Sequence, residues 1–275
     1  MTKEENALIF KETQIYYESI PTLISSVSNS KQNQKLIKEE DDYSCKSKYN
    51  LGKVVVSQKR TFEAAKAYVD KGYKVAVLNF ASATRPGGGV VNGSFAQEEC
   101  LCRASTLYGC LTDRWMQVEF YANHRYPVNP LNNDDIIYTP DVTVFREDTD
   151  TYEILPDTDW WNVNVITCAA PNLRDNPSNP YNPSNGNNKV DISNEDLLQL
   201  HFKRFSRILE VATNEGNEVI ILGAFGCGAF ANPPTVVAKA AIMALNKYRR
   251  NFNTIEFAVY CGADKTNYEV FKQIH

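Results

Sequence analysis

Apolar positions change period several times along this chain, and the changes mark out its elements. Residues 74–80 (KVAVLNF) and 218–224 (EVIILGA) are nearly continuous apolar runs, the pattern of strands buried on both faces. Residues 162–169 (NVNVITCA), 254–260 (TIEFAVY) and the shorter 53–56 also read as strands. Between them the period lengthens to that of a helix. Phe62, Ala65 and Val69 give one face to residues 61–71, which Gly72 ends. Leu101, Ala104, Tyr108 and Leu111 predict a helix over 97–111, and Leu197, Leu198, His201, Phe205, Ile208 and Ala212 predict one over 194–213. A helix over 234–248 opens on a proline in its first turn. Strands separated by helices predict parallel pairing through right-handed crossovers, with helices on both faces of an α/β sheet. Ligands in such sheets collect beyond the carboxyl ends of the strands, so the loops after Phe80, Ala169, Ala224 and Tyr260 should face one crevice.

Before this alternation, residues 1–50 are polar, with one predicted helix over 7–24 whose core face is Leu8, Ile9, Ile15 and Tyr16. Residues 30–47, rich in Lys, Gln, Glu, Asp and Ser, read as a surface connection, and the Asn- and Pro-rich residues 171–189 as a long loop. No internal repeat is present. The expected organisation is a helical extension, 1–50, packed on a core of residues 51–275 as one structural unit.

Composition narrows the function. With 275 residues, 43% apolar and 23% charged, disorder and fibrous repeats are excluded. A net charge of −4 offers no broad cationic surface for duplex nucleic acid, though backbone amides can still bind a small anion. The first ten residues lack the apolar core of a secretion signal. The longest charge-free run, 219–238, is broken by Gly223, Gly226, Gly228, Pro233 and Pro234, so no membrane span is expected. Seven cysteines without a CxxC pair read as reduced thiols, and three scattered histidines give no zinc spacing. A cytoplasmic monomer without metal or cofactor is expected, with the nucleus an option in a eukaryote.

Two loops carry candidate chemistry. The first is NFASATRPGGGVVNGSFAQEE, residues 79–99. Gly87, Gly88 and Gly89 permit backbone conformations closed to other residues and leave no Cβ to block a sugar or phosphate, although a bare glycine run is more often a flexible turn. Gln97, Glu98 and Glu99 follow at a predicted helix start. Acidic residues there can merely complement the helix dipole; adjacent side chains, however, point about 100° apart, so one can orient a substrate while the other reaches the reacting bond. The second is GAFGCGAFANPP, residues 223–234, between a buried strand and a helix. Its successive amides form a candidate diphosphate nest, without the Lys-Ser/Thr of a P-loop or a G-x-G-x-x-G fingerprint. Phe225 and Phe230 read as packing residues, or as a flat wall for ribose or adenine.

The spacing of Gly87-Gly88-Gly89 from Gln97-Glu98-Glu99 resembles the signature of poly(ADP-ribose) glycohydrolases. LNFASATRPGGGV, QEECLCRASTLYGCL, YTPDVTVFRED, ITCAAPN and LGAFGCGAFANPP look like the compact bacterial-type branch, over residues 10–271. The resemblance implies a macrodomain-like α/β/α sandwich with a mixed, largely parallel sheet. It implies catalysis by Glu99, acting as general acid and then base, with Glu98 positioning the ribose pair and Gly87 to Gly89 lining the reacting ribose. Gln97 and Ser82 join the site, Ser82 standing where some relatives have Asn. Gly226, Cys227, Gly228 and Ala229 would cradle the diphosphate, Phe230 would press on the terminal ribose, and Tyr268, with Phe271 behind it, is the candidate to stack on adenine. The implied substrate is poly(ADP-ribose) or ADP-ribosylated protein, cut mainly at chain ends with ADP-ribose as product. A mono-ADP-ribosyl hydrolase and a non-catalytic ADP-ribose reader remain as alternatives; a plain dinucleotide-binding module lacks its glycine fingerprint.

Overall fold

The computed structural model describes residues 1–43, 52–125, 129–177 and 189–274. The strands are β1 (Lys35–Ile37), β2 (Lys53–Ser57), β3 (Val75–Phe80), β4 (Ile136–Val144), β5 (Trp161–Cys168), β6 (Val219–Leu222) and β7 (Thr254–Ala258). They form one seven-stranded sheet in the order β1-β4-β5-β3-β6-β7-β2. Pairing is parallel from β5 through β3, β6 and β7 to β2, and antiparallel for β1-β4 and β4-β5. This is the mixed, mostly parallel α/β sheet expected from the sequence.

The helices are α1 (Lys3–Ser19), α2 (Pro21–Asn33), α3 (Thr61–Val69), α4 (Gln97–Ala104), α5 (Leu107–Leu111), α6 (Arg114–Met116), α7 (Asn123–Arg125), α8 (Asn194–Asn214), α9 (Pro234–Tyr248) and α10 (Thr266–Phe271). Helices α8, α9 and α10 cover one face, where Phe205, Ala241 and Phe271 join Ala76, Leu78 and Ile220. Helices α1, α3, α4 and α5 cover the other, where Phe10, Phe62, Leu101 and Leu107 join Val75, Val77 and Ile221. Successive residues of β3 therefore feed opposite cores, which is why its sequence shows no alternation.

Four expectations are corrected. The helix expected over 7–24 is two helices, because Pro21 has no N–H to continue the ladder of α1 and instead opens α2. The buried face of α1 is Asn6, Phe10, Thr13 and Tyr17, whereas Leu8 and Ile15 are exposed; of the inward polar pair, Asn6 Nδ2 donates to the Gly93 carbonyl at 3.3 Å and Thr13 Oγ1 to the Arg103 carbonyl at 2.7 Å. Residues 30–47, expected as a surface connection, supply the end of α2 and the edge strand β1, with Ile37 buried. The helix expected over 97–111 breaks at Ser105, whose backbone is extended, and restarts as α5.

Strand β4 has no counterpart in the apolar pattern. Pro140 and Asp141 interrupt it at a register shift between Thr139 and Val142, and Asp141 takes φ 53°. Cys45 and residues 178–188 of the Asn- and Pro-rich loop lie outside the described residues. Among the described residues no helix is long and apolar enough to cross a membrane.

Candidate functional site

Loops beyond the ends of β2, β3, β5, β6 and β7 enclose a cavity of about 720 Å³. Sheet order fixes what stands beside what. The β3 loop brings Ser82, Gly88, Gly89 and the start of α4; next to it β6 brings Gly226, Gly228, Ala229 and Phe230; then β7 brings Tyr260 and β2 brings Arg60. At about 4.8 Å per strand, these groups form a row along the sheet edge.

The glycine run is a close-approach turn. Gly87 and Gly88 take φ 63° and 56°, where a side chain is disfavoured. A Cβ on Gly88 would lie 2.6 Å from Glu99 Oε1 and 3.1 Å from Glu98 Oε2, and one on Gly89 would lie 2.4 Å from Ser94 Oγ. Gly88 and Gly89 line the cavity; Gly87 sits behind them, where a Cβ would meet the Tyr108 ring at 2.7 Å.

Helix α4 begins at the three residues singled out from the sequence. The Gln97 amide clamps the helix to β3: its Nε2 donates to the Leu78 carbonyl at 2.7 Å and to Thr61 Oγ1 at 3.1 Å, while its Oε1 accepts from the Phe80 N–H at 2.9 Å. Although Gln97 borders the cavity, its amide is occupied by protein. Glu98 Oε2 accepts from the Ser82 N–H at 2.7 Å, and Oε1 accepts from Asn79 Nδ2 at 3.2 Å. Glu99 Oε1 accepts from the Gly89 N–H at 2.9 Å. Its other oxygen, Oε2, is buried with no hydrogen-bond partner among the described residues.

Only 3% of Glu98 and 7% of Glu99 is exposed, so both are held protonated more readily than an ordinary carboxylate. Burial raises the Glu98 pKa well above its usual value, the neighbouring Glu99 charge adds to it, and the Ser82 N–H opposes. Burial also raises Glu99, against the opposing Gly89 N–H, amides of the helix start and Arg103. Asn79 was not singled out from the sequence. Its signal is a polar residue in an otherwise apolar strand: it is fully buried at the end of β3, where it reaches Glu98.

In the β6-α9 loop, the main-chain N–H groups of Gly226, Gly228, Ala229 and Phe230 have no acceptor among the described residues, and all four residues line the cavity. Such clustered amides are an anion nest. Cys227 departs from the expectation: its N–H donates to the Ala224 carbonyl at 3.0 Å, its side chain packs on the core, and burial pushes its thiol up to about 12. Phe225 is a packing residue, fully buried against Phe80, Phe205 and His201, while Phe230 borders the cavity.

The loop is held from behind by Asn232. Its Nδ2 donates to the Pro171 and Gly226 carbonyls at 2.7 and 3.0 Å, leaving Oδ1 to accept from His201 Nε2 at 2.8 Å. That orientation fixes the neutral His201 tautomer with its proton on Nε2, a role the sequence did not disclose.

Tyr268 packs against the core cluster and is not part of the cavity wall. Its helix turns the aromatic inward, and Tyr260, directly after β7, stands at the cavity instead. Tyr260 is 55% exposed, with the Arg60 guanidinium 4.3 Å from its ring centroid. Arg60 also pairs with Asp148 and Asp150. Among the described residues no group of three or more His, Cys, Asp or Glu is arranged to hold a metal ion.

Comparison with known proteins finds relatives of this fold. Residues 7–147 match the family described as "Microbial-type PARG, catalytic domain". A poly(ADP-ribose) glycohydrolase from Thermomonospora curvata is 29% identical over 99% of this chain and 100% of its own, with a TM-score of 0.83. The same enzyme bound to the inhibitor ADP-HPD gives 28% identity over 98% and 99%, with a TM-score of 0.81. The Deinococcus radiodurans enzyme in complex with ADP-ribose is 31% identical over 90% of this chain and 96% of its own, with a TM-score of 0.77. No curated protein sequence matches the chain.

Proposed function

The chain belongs to the microbial-type poly(ADP-ribose) glycohydrolase catalytic-domain family, and from that premise we propose that it cleaves the ribose–ribose bonds of poly(ADP-ribose) from chain ends, releasing ADP-ribose. The observation that carries the reading is the Glu99 carboxyl group, at a cavity, with one oxygen fixed by the Gly89 N–H and the other buried with no partner among the described residues. The relatives' ligands, ADP-ribose and ADP-HPD, support the ligand class.

An alkoxide is a poor leaving group, so the bond between an anomeric carbon and a ribose hydroxyl needs a proton delivered as it lengthens. Glu99, its pKa raised by burial, supplies that proton to the leaving ribose oxygen. Positive charge then develops on the remaining ring, and the diphosphate stabilises it from the nest of Gly226, Gly228, Ala229 and Phe230. The ionised Glu99 next accepts a proton from the attacking water. Glu98, held by Asn79 and Ser82, orients ribose hydroxyls. In the row of strands, the reacting ribose faces the β3 loop, the diphosphate β6 and the adenine β7, so Tyr260 replaces Tyr268 as the aromatic for adenine. The mechanism calls on no metal ion, and the Asn6 and Thr13 contacts of α1 support residues 1–50 and 51–275 acting as one unit.

The test is to incubate the protein with poly(ADP-ribose) and with singly ADP-ribosylated protein and resolve the products. Free ADP-ribose without oligomers is expected from polymer, and Glu99→Gln is expected to lower turnover by about 10²- to 10⁴-fold. Near-normal turnover by that variant refutes the role of Glu99. Release only from singly modified protein refutes the polymer reading.

A further inference from the structure

Arg174 is a cavity-lining cation that the scheme above leaves without a task. It follows β5, in a segment stitched across to the β6-α9 loop: the Leu173 N–H donates to the Phe230 carbonyl at 2.9 Å, and Asn232 Nδ2 donates to the Pro171 carbonyl at 2.7 Å. Arg174 lines the same cavity as the four open amides of the nest. Its neighbour in charge at the cavity, Arg60, is neutralised by Asp148 and Asp150. Arg174 has no carboxylate within ion-pair distance among the described residues. Its Nη2 donates to the Pro177 carbonyl, and its Nε is buried without a partner among the described residues.

A half-buried guanidinium without a counter-charge is costly unless something anionic completes it. Burial alone, with no charge opposing it, pulls its pKa below the usual arginine value. We propose that Arg174 binds the phosphate oxygens of the ADP-ribose unit seated in the nest, so that the diphosphate is held by one side-chain cation as well as by main-chain amides. The inference rests on the reading of this cavity as an ADP-ribose site and adds a residue to it. A planar fork of donors suits a phosphate better than a single ammonium does. Its anchor on the Pro177 carbonyl limits the rotamer freedom that binding must remove. The second consequence is for salt dependence: a nest of neutral amides releases no counterion-paired cation on binding, whereas Arg174 introduces one charge that salt screens.

The experiment is calorimetric titration of ADP-ribose, at low and at high salt, into the unaltered protein, Arg174→Gln and Arg174→Lys, with thermal unfolding of each unliganded protein as the check on folding. Arg174→Gln is expected to weaken binding by about 10- to 100-fold and to flatten the salt dependence. Arg174→Lys is expected to keep the salt dependence but recover only part of the affinity. Equal affinity and equal salt dependence for the unaltered protein and Arg174→Gln overturn the inference and leave the site reading standing. Failure of the unaltered protein to bind ADP-ribose overturns both.

Discussion

Replacing His201 tests how the β6-α9 loop is held. The ring is fully buried, Asn232 is 2% exposed, and the single bond between them runs from Nε2 to Oδ1 at 2.8 Å. His201→Phe fills the space but strands a buried acceptor, which costs about 1–3 kcal/mol. For a chain of this size that is a fall in Tm of roughly 2 to 12 °C. His201→Gln restores an N–H donor and should lose less. The imidazole also titrates. Burial, aided by Arg204 and opposed by the Asn232 bond, lowers its pKa from 6.5 to about 4. The unfolded chain therefore binds a proton more tightly than the folded one across that interval, and stability rises with pH between the two values. Full stability from the neutral ring is present above pH 6.5 and is lost as pH falls towards about 4, a loss of roughly 3 kcal/mol. The assay is urea unfolding of the unaltered protein and His201→Gln at a series of pH values; taking the difference cancels Glu98, Glu99 and His124. The unaltered protein should lead at neutral pH and surrender that lead in acid. A difference that does not change with pH refutes the buried neutral tautomer, and a His201→Phe protein with unchanged Tm refutes the bond's role.

Other outcomes follow from the site geometry. Gly88→Ala places a methyl group 2.6 Å from Glu99 Oε1 at φ 56°, so it should cost about 1–2 kcal/mol of stability and depress turnover more than ADP-ribose affinity, read by unfolding and by steady-state kinetics. Tyr260→Ala should weaken ADP-ribose binding by the worth of one base stack, about 1–3 kcal/mol, whereas Tyr268→Ala should lower Tm and leave affinity intact. Prolonged dialysis against a chelator should leave turnover of poly(ADP-ribose) unchanged; loss of activity restored by a divalent cation would refute a mechanism run on carboxylates and amides alone.

Much of this protein is legible in one dimension. Continuous apolar runs over β3 and β6 announce strands buried on both faces, because a strand covered twice has no solvent side to make polar. The intervening helical periods announce the α/β class. The glycine run and the Gln97-Glu98-Glu99 triplet announce a turn packed against carboxylates, because a turn that approaches carboxylates within 3 Å leaves no room for a Cβ. What stayed hidden depended on partners far along the chain. Strand β4 is interrupted by a bulge at Pro140 and Asp141, and short β1 becomes a strand only by pairing with it. Tyr260 rather than Tyr268 lines the cavity because α10 packs Tyr268 against the core. His201, Asn232 and Arg174 are common residues in unremarkable local sequence. Their tasks arise because the strand order sets the β3, β5 and β6 loops side by side, and a hydrogen bond between residues many positions apart leaves no local periodicity. Local composition thus determined most of the strands and helices and the glycine turn; only the packed sheet decided which polar groups would be buried together, and so which of them find a partner within the protein.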